Sequence, residues 1–174
     1  MQFKYTILVV SCDKYAPLWD AFFNRLFRYW PKPYPPVVLV TNALTLSYEN
    51  VQVIPVGNEH NWSAGLLKAL CEINDEYVYL LLDDIFIDSE VNKHHLDTLI
   101  KFVDEFKVGY LNTKGLPYPR GIEVRKNIRE VIKGSHYRAS LCNAFWKKSV
   151  LESLLKDGET PWQFEINGTV RSES

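Results

Sequence analysis

The sequence predicts an α/β fold, a mixed and mainly parallel sheet flanked by helices, built as a single domain over residues 1–174. Three observations carry this expectation. Short apolar runs alternate with longer stretches whose apolar residues recur at helical spacing, as in successive βαβ units. The short runs are apolar throughout, the composition of strands covered on both faces. Three of them end directly in polar residues: Ser11-Cys12-Asp13, Thr41-Asn42 and Asp83-Asp84. In open parallel sheets ligands bind outside the carboxyl ends of the strands, so these three ends mark the candidate site.

The elements follow in order. Tyr5 to Ser11 is β-rich and apolar, suited to a buried strand. Leu18, Trp19, Phe22, Phe23, Leu26, Phe27 and Trp30 then lie on one helical face, and the prolines from Pro31 to Pro36 stop that helix. Val37 to Thr41 and Val51 to Val56 read as strands. Asn61 or Ser63 caps a helix running through Leu66, Leu67, Leu70 and Ile73. Tyr77 to Leu82 is a strand and Asn92 to Lys107 an amphipathic helix. Val108 to Asn112 is a strand, followed by a Pro-, Gly- and Arg-rich stretch. Ile122 to Ile132 reads as a hairpin or an irregular excursion. Ala139 to Phe145 is expected to be a strand, Lys147 to Leu155 a helix, and Gly158 to Pro161 a loop that leads on to Glu165.

Composition narrows the function. The 174 residues carry a formal net charge of −1, with 47% hydrophobic and 24% charged residues. A phosphate-backbone binder needs a large basic excess, so nucleic acid is excluded as a general partner. The segment Arg120 to Lys133 is locally basic and could meet an anionic headgroup or a diphosphate. Cys12, Cys71 and Cys142 are odd in number and not spaced as a zinc site, which reads as reduced thiols. No apolar stretch approaches membrane-spanning length, and the start lacks the apolar core of a secretion signal. The expectation is a cytoplasmic protein, at most at the inner face of the membrane.

Asp83 and Asp84 follow six apolar or aromatic residues. Adjacent carboxylates repel, and ionising both beside an apolar edge is costly. A divalent cation, Mn²⁺ or Mg²⁺, would relieve the cost and neutralise a substrate diphosphate. Capping of the following turn is the equally weighted alternative. The loop after the first strand, Ser11-Cys12-Asp13-Lys14-Tyr15, contains no glycine, unlike the phosphate loop of a nucleotidyltransferase or a P-loop. Cys12 has no neighbouring histidine to activate it as a nucleophile.

The motifs Ser11-Cys12-Asp13-Lys14-Tyr15, Trp62-Ser63 with Leu66-Leu67-Lys68-Ala69-Leu70, and Tyr79-Leu80-Leu81-Leu82-Asp83-Asp84-Ile85-Phe86, in that order, resemble bacterial glycosyltransferases of the GT-A fold. That group includes enzymes of capsule and cell-surface polysaccharide synthesis. Tyr137-Arg138-Ala139-Ser140-Leu141, Ala144-Phe145-Trp146 and Pro161-Trp162-Gln163-Phe164-Glu165 extend the resemblance over nearly the whole chain. It implies a Rossmann-like sheet, a nucleotide-sugar donor that is commonly UDP-linked, and a saccharide or lipid-linked saccharide acceptor. It further implies a hexosyltransferase with inverting stereochemistry, and peripheral contact with the membrane. Asp83-Asp84 would be the DXD-like motif and metal site, although Ile85 stands where a further acid is often found. Glu165 matches the late acidic general base. Similar enzymes continue further, which implies a C-terminal extension beyond Ser174.

Each remaining candidate has a functional and a structural reading. Asp13 either hydrogen-bonds a base or ribose or caps the next helix; Tyr15 either stacks on the base or packs. Thr41 and Asn42 either face the nucleotide or form a turn. Trp62 borders the donor pocket or staples its helix. Lys68 meets a phosphate or sits solvated on its helix. Arg138 neutralises a leaving phosphate, holds Glu165, or makes a surface pair. Trp162 is a sugar platform or a core residue. A non-catalytic nucleotide- or sugar-binding domain is the rival function, and a structural α/β domain the third.

Overall fold

A computed structural model describes residues 4–58, 61–114 and 120–174. The Pro- and Gly-rich stretch at 115–119 lies outside these residues. The strands are β1 (Tyr5–Val10), β2 (Val37–Thr41), β3 (Val51–Pro55), β4 (Tyr77–Leu82), β5 (Tyr110–Asn112), β6 (Arg120–Arg125), β7 (Ile128–Val131) and β8 (Ala144–Lys147). The helices are α1 (Ala16–Tyr29), α2 (Trp62–Cys71), α3 (Lys93–Glu105), α4 (Lys148–Leu154) and α5 (Pro161–Arg171).

Six strands form one sheet in the order β3-β2-β1-β4-β8-β5. β1 pairs parallel with β2 and β4, and β2 with β3. β8 enters antiparallel between β4 and β5. The sheet is therefore mixed and mainly parallel, with helices on both faces.

Strand pleating divides the core in two, because successive side chains point to opposite faces. Tyr5, Ile7 and Val9 of β1, with Tyr77, Tyr79 and Leu81 of β4, pack against α1 and α3. Leu8, Val10, Val78 and Leu80 point the other way, against α2, α4 and Phe164 of α5. Every residue of β1 and β2 is buried, as strands covered on both sides must be. α2 is capped by Asn61, whose side chain accepts from the Ala64 amide at 3.1 Å.

Two segments depart from the sequence expectation. The stretch 139–143 is not a strand; β8 begins only at Ala144. Tyr137 and Asn143 have φ of 53° and 48°, left-handed conformations that break an extended run. The amides between them bond to α5 instead: Ala139 to the Thr169 hydroxyl at 3.1 Å and Leu141 to the Glu165 carboxylate at 2.8 Å. Glu165 itself is on a helix, not in a loop. Thr160 accepts from the Gln163 amide and the Gln163 side chain accepts from the Thr160 amide, a capping box with Pro161 in the first turn.

Candidate functional site

The site is built where β1, β2 and β4 end together. Ser11, immediately after β1, donates its hydroxyl to the Asp83 carboxylate, immediately after β4. The Trp19 indole N–H, from α1, donates to Ser11 Oγ at 2.7 Å and to Asp83 Oδ2 at 3.2 Å. Asp83 is only 5% exposed, whereas Asp84 is exposed to solvent. The two acids therefore divide. Asp83 is anchored inward, and Asp84 faces solvent.

Burial pushes the Asp83 carboxyl above its ordinary range; the Ser11 and Trp19 bonds oppose that shift, and the Asp84 charge adds to it. A carboxyl raised in the folded state favours folding most when protonated. Its contribution is fully present below the unfolded pKa and is lost as pH rises through the raised folded value. Asp83→Asn keeps an acceptor for the Ser11 and Trp19 donors but no titrating proton. The variant is expected to lose this fall in stability, as measured by urea unfolding from acid to neutral pH. An unchanged pH dependence would contradict the assignment.

The second clasp joins β1 to β2. Asp13 lies in a single 3-10 turn between β1 and α1, and its carboxylate accepts from the amides of Asn42 at 2.9 Å, Ala43 at 3.0 Å and Leu44 at 3.2 Å. In return its own amide donates to Asn42 Oδ1 at 3.0 Å. Asp13 and Asn42 thus fix the two loops against each other. Thr41 is fully buried and donates to the Leu44 carbonyl at 2.8 Å. Around these clasps Tyr15, Leu44, Leu46 and Phe86 are 37–41% exposed. Each follows β1, β2 or β4 by three to five residues in sequence. Of these only Tyr15 is singled out by the sequence reading; the signal for the others is an apolar residue directly after a polar strand end.

Glu165 reaches the same edge from α5. Its Oε1 accepts from the Leu141 amide at 2.8 Å and from the Ser140 hydroxyl at 3.0 Å. These bonds engage one oxygen and fix the orientation of the other. The neighbouring Cys142 thiol is pushed up chiefly by burial; Lys114 pulls it down, while Glu165 and Asp84 push it further up. One half-buried thiol thus senses Asp84, Glu165 and Lys114 together. Lys114 follows β5, a strand that the sequence reading includes while passing over the cation just after it.

Other candidates fall elsewhere. Lys68 donates to the Val56 carbonyl at 3.0 Å. Trp62 is half-buried, its ring 5.7 Å from that of Phe164. Arg138 bonds the Val131 carbonyl and, at 3.1 Å, the Ser172 hydroxyl; it does not hold Glu165. Its guanidinium lines a groove between the β6–β7 hairpin and the sheet edge. Trp162 is 70% exposed, so it is not a core residue. Among the described residues no group of three or more His, Cys, Asp or Glu could hold a metal ion.

No protein-family model matches the chain, and no curated protein matches it. Solved structures share its fold. TarS 1–349 of S. aureus in complex with UDP-GlcNAc superposes with a TM-score of 0.58 at 18% identity, over 97% of this chain and 54% of that one. Mannosyltransferase PcManGT from Pyrobaculum calidifontis, in complex with GDP-Man and Mn²⁺, gives 0.52 at 17%, over 88% and 47%. The bifunctional IspDF from Campylobacter jejuni gives 0.54 at 16%, over 98% and 47%. The chain spans about half the length of these proteins. Its architecture is the GT-A-like fold of glycosyltransferases such as the first two.

Proposed function

We propose that this chain is the nucleotide-sugar-binding domain of a glycosyltransferase, transferring a hexose from a UDP-linked donor to an acceptor hydroxyl in surface polysaccharide synthesis. The observation that carries the reading is the division of the acidic pair at the end of β4. Asp83 is held inward by Ser11 and Trp19, and Asp84 is left exposed at the end of β4, where the neighbouring loops carry exposed apolar side chains. An edge of this kind suits a ligand with a base and a diphosphate, and the neighbours' complexes with UDP-GlcNAc and with GDP-Man and Mn²⁺ agree with it.

A divalent cation fits this donor set in one way. Mg²⁺ and Mn²⁺ commonly bind one or two protein carboxylates and complete their shell with water and substrate phosphates. Asp84 would be the principal protein ligand with Asp83 behind it, and the ion would supply charge neutralisation at the diphosphate. The remaining steps belong to the chain's own residues. Tyr15 stacks on the base, Asn42 and Asp13 hold the loops that receive the ribose, and Lys114 adds positive charge to the cleft. Glu165, its Oε1 fixed by Leu141 and Ser140, takes the acceptor proton on Oε2. Attack opposite the leaving diphosphate inverts the anomeric centre. Trp162 offers an exposed apolar face to the sugar acceptor.

Incubation with UDP-sugars, with and without Mn²⁺, tests the reading through release of UDP and transfer to saccharide or lipid-linked acceptors. Turnover is the expected result. Nucleotide binding without turnover would favour the rival, a non-catalytic nucleotide-sugar-binding domain, and absence of both would overturn the proposal.

A further inference from the structure

The β6–β7 hairpin stands apart from the main sheet, its two strands pairing only with each other. Its attachment to the body is one-sided. Ile128 packs on the core beside α3, Arg125 lies over the Phe102 ring at 5.7 Å, and Arg138 holds the Val131 carbonyl. Across the ladder Arg129 pairs with Glu123 at 3.0 Å and keeps the shape. With these contacts made, Ile122 and Val124 remain 75% and 56% exposed, two positions apart on one strand, and Ile132 is 38% exposed just beyond. Aliphatic side chains so exposed on an element with few body contacts mark an interaction surface.

Charge identifies the partner. Residues 120–133 contain five Arg or Lys and two Asp or Glu, a local net of +3 on a chain whose net is −1. Lys126 is exposed at the turn. Arg125 and Arg129 are exposed on the same strands although each has a partner, and Lys133 bonds the Glu173 carbonyl, so among the described side chains of the hairpin Lys126 is the cation left to solvent. Exposed aliphatic residues on a basic hairpin match a surface layered as acyl chain beneath anionic headgroup. A single-stranded nucleic acid would be met with stacking aromatics, and residues 120–133 contain none. A stable protein partner needs roughly 800 Å² per side, more than a hairpin of this length offers alone. We propose that the β6–β7 hairpin docks on an anionic lipid bilayer, Ile122 and Val124 entering the interface while Lys126 meets a headgroup phosphate and the net positive charge of the hairpin draws it to the surface. The inference stands on the hairpin and does not depend on the donor chemistry.

Co-sedimentation of the intact chain with vesicles tests it. Binding is expected to phosphatidylcholine–phosphatidylglycerol vesicles and not to phosphatidylcholine alone, and it weakens with added salt because surface charge is screened. Lys126→Gln is expected to lower partitioning about fivefold, the effect of one basic residue at an anionic surface. Ile122→Ser with Val124→Ser is expected to lower it at least about tenfold. UDP titration of the same variants should match the parent, so loss of docking and loss of the donor site are read separately. If the double variant does not fold, Lys126→Gln alone decides. Absence of binding to anionic vesicles, equal binding to neutral ones, or parent-like binding by the folded variants would overturn the proposal. So would a concentration-dependent dimer abolished by the double variant, which would make a second copy the occupant.

Discussion

Replacing Glu165 with glutamine is expected to lower sugar transfer by about 10²–10⁴-fold, the usual contribution of a positioned general base. The substitution separates the proposed role as base from the observed clasp to residues 140 and 141. One carboxylate oxygen already accepts from the Leu141 amide and the Ser140 hydroxyl. A glutamine carbonyl still accepts both bonds, though more weakly than a carboxylate oxygen, so the 140–142 segment keeps its place with at most a small loss of stability. Only the second oxygen changes, from a proton acceptor to an amide nitrogen. UDP binding is expected to match the parent, because the proposed base serves the acceptor and not the donor. Near-normal transfer would remove Glu165 from the mechanism and leave it as a clasp between α5 and the approach to β8. A parallel loss of UDP binding would reassign it to the donor site.

Trp19 carries the largest expected effect on stability. The side chain is fully buried within the core between α1 and the sheet, and its indole N–H serves Ser11 and Asp83 at once. Trp19→Ala should cost about 3–5 kcal/mol through the cavity and the lost burial. Trp19→Phe fills most of the volume and deletes only the donor, at about 1–3 kcal/mol for a buried polar group left short of a partner. The two variants separate packing from polarity. Because the indole bond is one of the influences holding the Asp83 carboxyl down, Trp19→Phe also moves Asp83 further up and shifts the acid side of the stability profile with it. Denaturant unfolding of both variants, with Asp83 titrated by NMR, measures this. A Trp19→Phe variant equal to the parent in stability and in Asp83 titration would contradict the anchoring role.

Much of this architecture is legible from local pattern because the signals are themselves local. β2 and β4 are read to the residue, since a continuous apolar run bounded by polar residues has few other uses. The Asn61 cap is visible one residue ahead of α2. Other features depend on distant partners. The split of Asp83 from Asp84 rests on Trp19, 64 positions from Asp83 in sequence, and nothing near the pair says which acid turns inward. The stretch 139–143 has strand-like composition, but its amides are satisfied by Thr169 and Glu165 on a helix that comes later. The antiparallel direction of β8 shows only in its pairing with β4 and β5 and is not legible in Ala144–Lys147. α5 is a different case: Thr160, Pro161 and Gln163 spell a capping box, and apolar neighbours around Glu165 read as a loop only if that signal is passed over.

The account stands or falls on whether a nucleoside diphosphate sits at the ends of β1, β2 and β4. Calorimetric titration of UDP into the intact chain in Mn²⁺, run beside Asp84→Asn, addresses this most directly. Saturable binding by the parent is expected, with an affinity lower by at least about tenfold in the variant, since the carboxylate proposed to meet the cation is lost. A parent chain that takes up no UDP, or an Asp84→Asn chain that binds it as tightly as the parent, would contradict it.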